Sequence, residues 1–370
     1  MSYTSTISAP TRPRVAVLDG LRGLAVLLVL VYHLHEYVPT LWPGASAFGP
    51  NNPLQRPMGF FWIGVDLFYV LSGFFIGSAV LRPTEWQPLP FIRSRLTRIL
   101  PAYYVSMVVA LLLLERGLLG NLQGWVNIAM HTLMMHNLQT WSMFSINGPY
   151  WTLGVEFAFY GLMLALAPVL RLPRGWLLLP LMLAVCYVWR AALMVGIPHP
   201  ERFFWGAQLP GALDEFVLGI AVAYAHQRGL LQRLTHRPWA GVALGSAGLL
   251  LVLVCLAHYV RMKTDYWQSF GTVMWSRTVL ATGFALLITA FLVLANHPVL
   301  QGLVRFSGLG WLGMLSFSVY LYHVPVILLL HRNLPALQPG WLWNLTAVVA
   351  TCGVAYASYR LVERRWHANL

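Results

Sequence analysis

Apolar residues fill this chain in continuous stretches of about 20, separated by short polar connections, and they do not alternate with polar ones. Runs of that length predict membrane-spanning helices and argue against a transmembrane β-barrel. Ten spans can be drawn, at roughly 16–38, 59–81, 98–116, 149–170, 175–195, 208–227, 239–260, 274–295, 308–330 and 341–362. The expected fold is therefore all-α: a polytopic integral membrane protein of about ten transmembrane helices. One transmembrane domain, 15–365, follows a polar tail, 1–14. That tail carries Arg12 and Arg14, like the charged start of a signal peptide. The run behind it has an internal Arg and no small-residue cleavage site, so it is expected to be retained. No long polar segment suggests a fused extracytoplasmic domain. The connection 121–148, with Trp125, His131, His136 and Trp141, is too apolar for a plain linker and predicts an interfacial or re-entrant helix. No internal repeat is visible, which weakens a transporter reading.

Composition sharpens the charges. The chain has 370 residues, 58% hydrophobic and only 9% charged, with a net charge of +13. The basic residues sit in the short loops between runs and not on one soluble face, so nucleic acid is excluded as a partner. They read as topology determinants and as contacts for membrane lipids or an anionic ligand. Loops on the N-terminal side collect more arginines, which predicts N-in and C-in. Cys186, Cys255 and Cys352 lie far apart inside apolar runs and form neither a metal spacing nor a disulfide framework. No metal is expected.

The first span, Val17–Tyr37, breaks its own pattern. Leu24–Tyr32 is purely apolar, yet Asp19 and Arg22 stand at one end and His33, His35 and Glu36 at the other. A charge at the centre of a spanning helix costs roughly 2.5–3.5 kcal/mol, so such residues face protein or a water-filled cavity. Arg22 and His33 are separated by about three helical turns, lie within about 20° of one face, and are about 16.5 Å apart along the axis. One face thus holds a fixed cation at one level and a titratable imidazole at another. This suits a long ligand with its anionic part low and its reactive end high. His35 falls on a different face.

Other spans carry isolated charges. Asp66 is the single charge of 59–78 and can orient an imidazole or satisfy an Arg. Glu156, alone in 147–164, can accept a proton, bind a sugar hydroxyl, or pair with Arg22 or His33. Asp214 and Glu215 are adjacent and point in different helical directions, so one at most lines a shared cavity. Arg95 and Arg98 are neighbours on a helix face, and two guanidiniums at a membrane mouth suit phosphate as well as ordinary anchoring. His323 precedes Val324-Pro325, a setting in which a packed histidine is commoner than a catalyst. With N-in topology, Asp66, Glu156, Asp214, Glu215 and His323 are expected in one layer with His33.

Together these elements resemble the acyltransferase-3 family of integral membrane O-acyltransferases. The matching segments are LDGLRG at 18–23, the Arg22/His33 pair, GVDLFYVLSGFFI at 64–76, Arg95-x-x-Arg98 with Pro101, WTLGVEF at 151–157, LDEFVLG at 213–219 and SVYLYHVP at 318–325. They occur in the family's order over nearly the whole chain. The resemblance implies a ten-helix enzyme of the bacterial inner membrane. It would carry an acyl group, usually acetyl, from cytoplasmic acetyl-CoA to a carbohydrate or glycolipid hydroxyl. It implies His33 as the essential histidine with Arg22 as its partner, and Arg95 and Arg98, with Arg93 beside them, at the CoA end. Asp66 and Glu156 are matched positions of less defined role.

The expected mechanism follows from both readings. Acyl-CoA phosphates rest on Arg93, Arg95 and Arg98, and the pantetheine arm runs up one continuous passage past Arg22. His33 acts as general base, or alternatively as a transient acyl carrier, with its tautomer set by Glu36, Asp66 or Glu156. Trp151, Asp214 and His323 are expected on the acceptor side, where Trp42, Trp62 and Trp141 could also stack on sugars. A proton-coupled transporter using His33, Asp66 and Glu156, and a non-catalytic lipid-binding scaffold, are the alternatives.

Overall fold

The computed structural model describes residues 16–37, 56–82, 84–334 and 341–367. The tail 1–14 and Trp42 lie outside the described residues. Within them all regular structure is helical. The long helices are α1 (Ala16–Tyr37), α2 (Ile63–Val80), α3 (Pro88–Leu113), α5 (Trp151–Leu170), α6 (Leu178–Gly196), α7 (Leu209–Gln227), α8 (Pro238–Met262), α9 (Arg277–Val293), α10 (Ser316–Asn333) and α11 (Trp341–Ser358). The shorter α4 (Leu122–Thr132) lies between α3 and α5. Eight segments are long and apolar enough to cross a membrane. The other two long helices, α7 and α10, carry Asp214, Glu215 and His323 and bury most of their residues inside the protein. They are shielded from lipid by their neighbours, so their sequences are free to be more polar.

One boundary differs from the sequence expectation, and one expected helix is found. Helix α3 starts at Pro88 and not at 98, so Arg93, Arg95 and Arg98 are helical. Proline fits a first turn, whose N–H has no helical partner anyway. The segment 121–148 holds the amphipathic α4, capped by Asn121, whose side chain accepts from Gly124 N. Gly124, Asn127 and His131 are buried, whereas Leu122 and Trp125 are exposed, as an interfacial helix requires.

Close crossings hold the centre. A Cβ on Gly73 would collide with the Phe216 carbonyl, and one on Gly219 with the Val70 carbonyl, so α2 and α7 touch backbone to backbone. Gly23 of the LDGLRG segment meets the carbonyl of Leu309 in the same way, and Gly313 that of Asp19, which seats α1 on the short helix Leu309–Met314. The α2 window is 67% buried against 22% for those of α6 and α8, so α2 is an inner wall and the other two face outward.

The connection from α4 to α5 is sunk into the protein. Asn147 donates through Nδ2 to the Leu321 carbonyl at 2.9 Å, and the Tyr320 hydroxyl to the Pro149 carbonyl at 3.0 Å, both within α10. His131 and His136 stack at 4.2 Å beneath it, fully buried. Burial pushes them down from the usual 6.5, to about 3 and about 4. Their Nε2 atoms face the carbonyls of Ser142 and Tyr150 at 3.1 and 2.9 Å.

Candidate functional site

Two cavities lie along α1. The lower, of about 110 Å³, is lined by Arg22, Arg95 and Arg98 together with Ser72, Glu156 and Tyr160. The upper, of about 830 Å³, is lined by His33, His35, Glu36 and Arg277 within an aromatic wall that includes Trp62, Trp151, Tyr266 and Trp267. The helical offset between Arg22 and His33 thus places one in each cavity. The expected passage takes the form of two adjoining cavities. Val65 and Tyr320 belong to the walls of both cavities and stand between them.

His33 is oriented by a second imidazole. His323 Nδ1–H donates to its own-helix carbonyl, Val319 O, at 3.0 Å, so His323 Nε2 is an acceptor. His33 Nδ1 lies 2.9 Å from Val29 O and 3.1 Å from His323 Nε2, two acceptors, and therefore carries the proton. Assigned from this network, the lone pair of His33 falls on Nε2. The carboxylate expected to set this tautomer is replaced by a backbone carbonyl and His323. His323 is fully buried and lines neither cavity, so it reaches a ligand only through His33 and not as an acceptor-binding residue.

The expected layer of acids separates. Glu156 lies with the arginines of the lower cavity, where its Oε1 accepts from Ser72 Oγ at 2.9 Å and from the Tyr160 hydroxyl. The sunken α4–α5 connection starts α5 beside the second turn of α10, and Glu156 falls in the lower cavity and not in that of His33. Asp66 pairs with Arg277 Nε at 3.1 Å, and Glu215 meets the same nitrogen at 3.0 Å. Asp214 is clamped by Arg190, Nη2 to Oδ1 at 2.8 Å and Nη1 to Oδ2 at 2.9 Å, a bidentate pair. Asp66 and Asp214 are fully buried and line neither cavity; their burial is compensated by guanidiniums, not by substrate. A proton relay through His33, Asp66 and Glu156 has no continuous geometry here.

Of the remaining expected residues, Glu36 and Trp151 line the upper cavity, and so does His35, placed elsewhere by the helical wheel. Arg93 is exposed and absent from the lower cavity's wall. Trp141 is exposed and outside both walls, whereas Trp62 lines the upper one. Arg95 stacks over Phe91 at 5.7 Å and keeps a buried Nε with no hydrogen-bond partner, a donor suited to an anionic ligand. Among the described residues no three His, Cys, Asp or Glu side chains gather as a metal site needs.

Arg190, Arg277, Tyr320 and Glu363 are residues of the candidate site that the sequence motifs do not single out. The signal was available: three acids inside apolar runs require cations inside apolar runs. Arg277 follows a π-helical turn, Thr272–Ser276, and Glu363 ends another, Tyr359–Glu363, where it accepts from Ser318 Oγ. Such turns are frequent at functional sites.

A family model for the acyltransferase domain matches residues 15–360, almost the whole chain. The chain belongs to the acyltransferase-3 family. It is 28% identical to the peptidoglycan O-acetyltransferase OatA of Listeria monocytogenes, over 95% of this chain and 56% of that protein. It is 28% identical to the putative peptidoglycan O-acetyltransferase YrhL of Bacillus subtilis, over 94% and 54%. The putative membrane-bound transacylase BcsY of Komagataeibacter xylinus is also 28% identical, over 94% and 81%. The chain spans about half the length of the first two relatives. No solved structure matches it. This acyltransferase-3 protein is thus an all-α, multi-pass membrane protein whose family motifs converge from α1, α2, α3, α5 and α10 on the two cavities.

Proposed function

We propose that this protein is an O-acyltransferase of the bacterial inner membrane. It moves an acyl group, acetyl above all, from cytoplasmic acetyl-CoA to a hydroxyl of a cell-surface glycan or glycolipid. One observation carries the reading: a single helix face presents Arg22 to an arginine-lined cavity and His33 to an aromatic one. Arg22, Arg95 and Arg98 receive the anionic end of the donor, for which the buried Arg95 Nε is a waiting partner. Trp62, Trp151 and Trp267 offer faces for a pyranose, in keeping with the glycan named for two relatives.

The chemistry balances without a metal. His33 Nε2 takes the proton of the acceptor hydroxyl as its oxygen attacks the thioester carbonyl. The C–S bond breaks, the ester C–O bond forms, and the imidazolium returns the proton to the departing thiolate. The Nδ1–H held by Val29 O and His323 keeps Nε2 as the basic nitrogen throughout.

Transfer from labelled acetyl-CoA in membranes tests this, with wild type, His33→Ala and Arg95→Ala/Arg98→Ala at matched protein levels. Loss of acylated product in both variants is expected. Unchanged product with His33→Ala removes the centre of the reading.

A further inference from the structure

The septum between the cavities is built from two side chains that have little freedom. Val65 is 9% exposed in the first turn of α2, and a β-branched side chain in a helix has one strongly preferred rotamer. Tyr320, 7% exposed, has its hydroxyl 2.6 Å from Thr152 Oγ1 and 3.0 Å from Pro149 O, both fixed at the sunken start of α5. Phe68 packs edge-on against its ring at 6.0 Å. The boundary between the cavities is therefore lined by side chains that are held in place.

Resting on the acyl-CoA reading above, we propose that Val65 and Tyr320 act as a cross-section filter on the donor, admitting unbranched acyl thioesters and rejecting those branched beside the carbonyl. A donor anchored by its phosphates at Arg95 and Arg98 presents its acyl end first to the slot. An acetyl group is no wider than the pantetheine arm that must follow it. A straight longer chain has the same width, and the 830 Å³ beyond the slot leaves room for it. At the carbon next to the carbonyl, an isobutyryl group is wider than the unbranched cysteamine and β-alanine part of the arm that follows it. Selection is thus by girth and not by length.

The test is competition between acetyl-CoA, butyryl-CoA and isobutyryl-CoA, using the full chain in lipid nanodiscs. Wild type is expected to use acetyl and butyryl groups and to discriminate against isobutyryl. Val65→Ala removes two methyl groups from one side of the slot, and the isobutyryl-to-acetyl rate ratio is expected to rise about tenfold, the discrimination that a methylene-sized fit supports. Tyr320→Phe, which frees the ring from Thr152 and Pro149, is expected to raise the same ratio by a smaller factor. Val65→Leu is expected to slow acetyl transfer while CoA still binds at the arginine cavity, measured by titration with CoA itself. The filter is overturned if wild type uses isobutyryl-CoA as fast as acetyl-CoA. It is equally overturned if an active Val65→Ala or Tyr320→Phe leaves the ratio unchanged. A wild type that binds CoA but transfers no acyl group overturns the donor reading itself, and the filter with it.

Discussion

The imidazoles of His33 and His323 meet across the α1–α10 contact, Nδ1 to Nε2 at 3.1 Å, although 290 residues separate them in the chain. Each ring is also tied through Nδ1 to the carbonyl four residues before it, Val29 O or Val319 O. Two short local ties and one long-range bond leave neither ring free to rotate.

His323 is therefore a positioning residue, and its replacement should affect the chemical step more than donor binding. His323→Phe is expected to lower kcat about 10- to 100-fold with little change in KM for acetyl-CoA, as when an interaction made mainly in the transition state is lost. His323→Gln keeps an acceptor oxygen in reach of the Nδ1–H and should recover part of the rate. Steady-state kinetics over a pH series will separate this from simple misfolding. Equal losses in Phe and Gln variants with an unshifted pH profile would count against it.

The arginines divide by location. Arg95 and Arg98 line the lower cavity, whereas Arg93 on the same helix is exposed. A hydrogen bond to a charged group contributes about 1.5–3 kcal/mol, so Arg95→Ala should weaken CoA binding about 10- to 100-fold. Arg93→Ala should bind as wild type does. Equilibrium titration with CoA decides the matter, and equal weakening in both would point to general membrane-surface charge.

Helix contact at Gly219 leaves no space for a side chain, since a Cβ there meets the Val70 carbonyl. Gly219→Ala should force α2 and α7 apart, destabilising by about 1–3 kcal/mol as overpacking does. A lower thermal midpoint and reduced membrane yield are expected. Gly353→Ala, which has open space around it, serves as the control and should be silent.

Acid should loosen the sunken connection first. His131 and His136 are held neutral by burial, at about 3 and about 4 against an ordinary 6.5. A depressed histidine binds its proton more readily when unfolded, so its stability is fully present above pH 6.5 and declines as pH falls towards the folded values. At pH 5 the loss is about 2 kcal/mol per imidazole. Hydrogen exchange in nanodiscs should show residues 122–150 losing protection between pH 7 and pH 5 while α2 keeps its own. A pH-independent pattern would contradict the burial.

Much of this was legible in the chain. Apolar runs gave every long helix, because continuous 20-residue hydrophobicity has few other uses. Arg22 and His33 stood out because charges in such a run are conspicuous, and helical periodicity correctly placed them on one face. What the sequence hid was pairing. Nothing local connects His33 with His323, or Asp66 with Arg277, because those partners are chosen by tertiary packing. Glu156 was misjudged in depth for a related reason. Its helix was taken to start at a membrane surface, whereas Asn147 and Pro149 insert against Leu321 and Tyr320.

That insertion has an electrical consequence. The voltage across a membrane falls over its thinnest insulating layer, and between these cavities that layer is the thickness of Val65 and Tyr320. A unit charge crossing it would feel the field in full, about 2.3 kcal/mol per 100 mV. In the proposed donor complex the phosphates held at Arg95 and Arg98 would stay outside it, and the amide-linked arm that enters carries no charge. On the proposed reading, loading such a donor would do no electrical work.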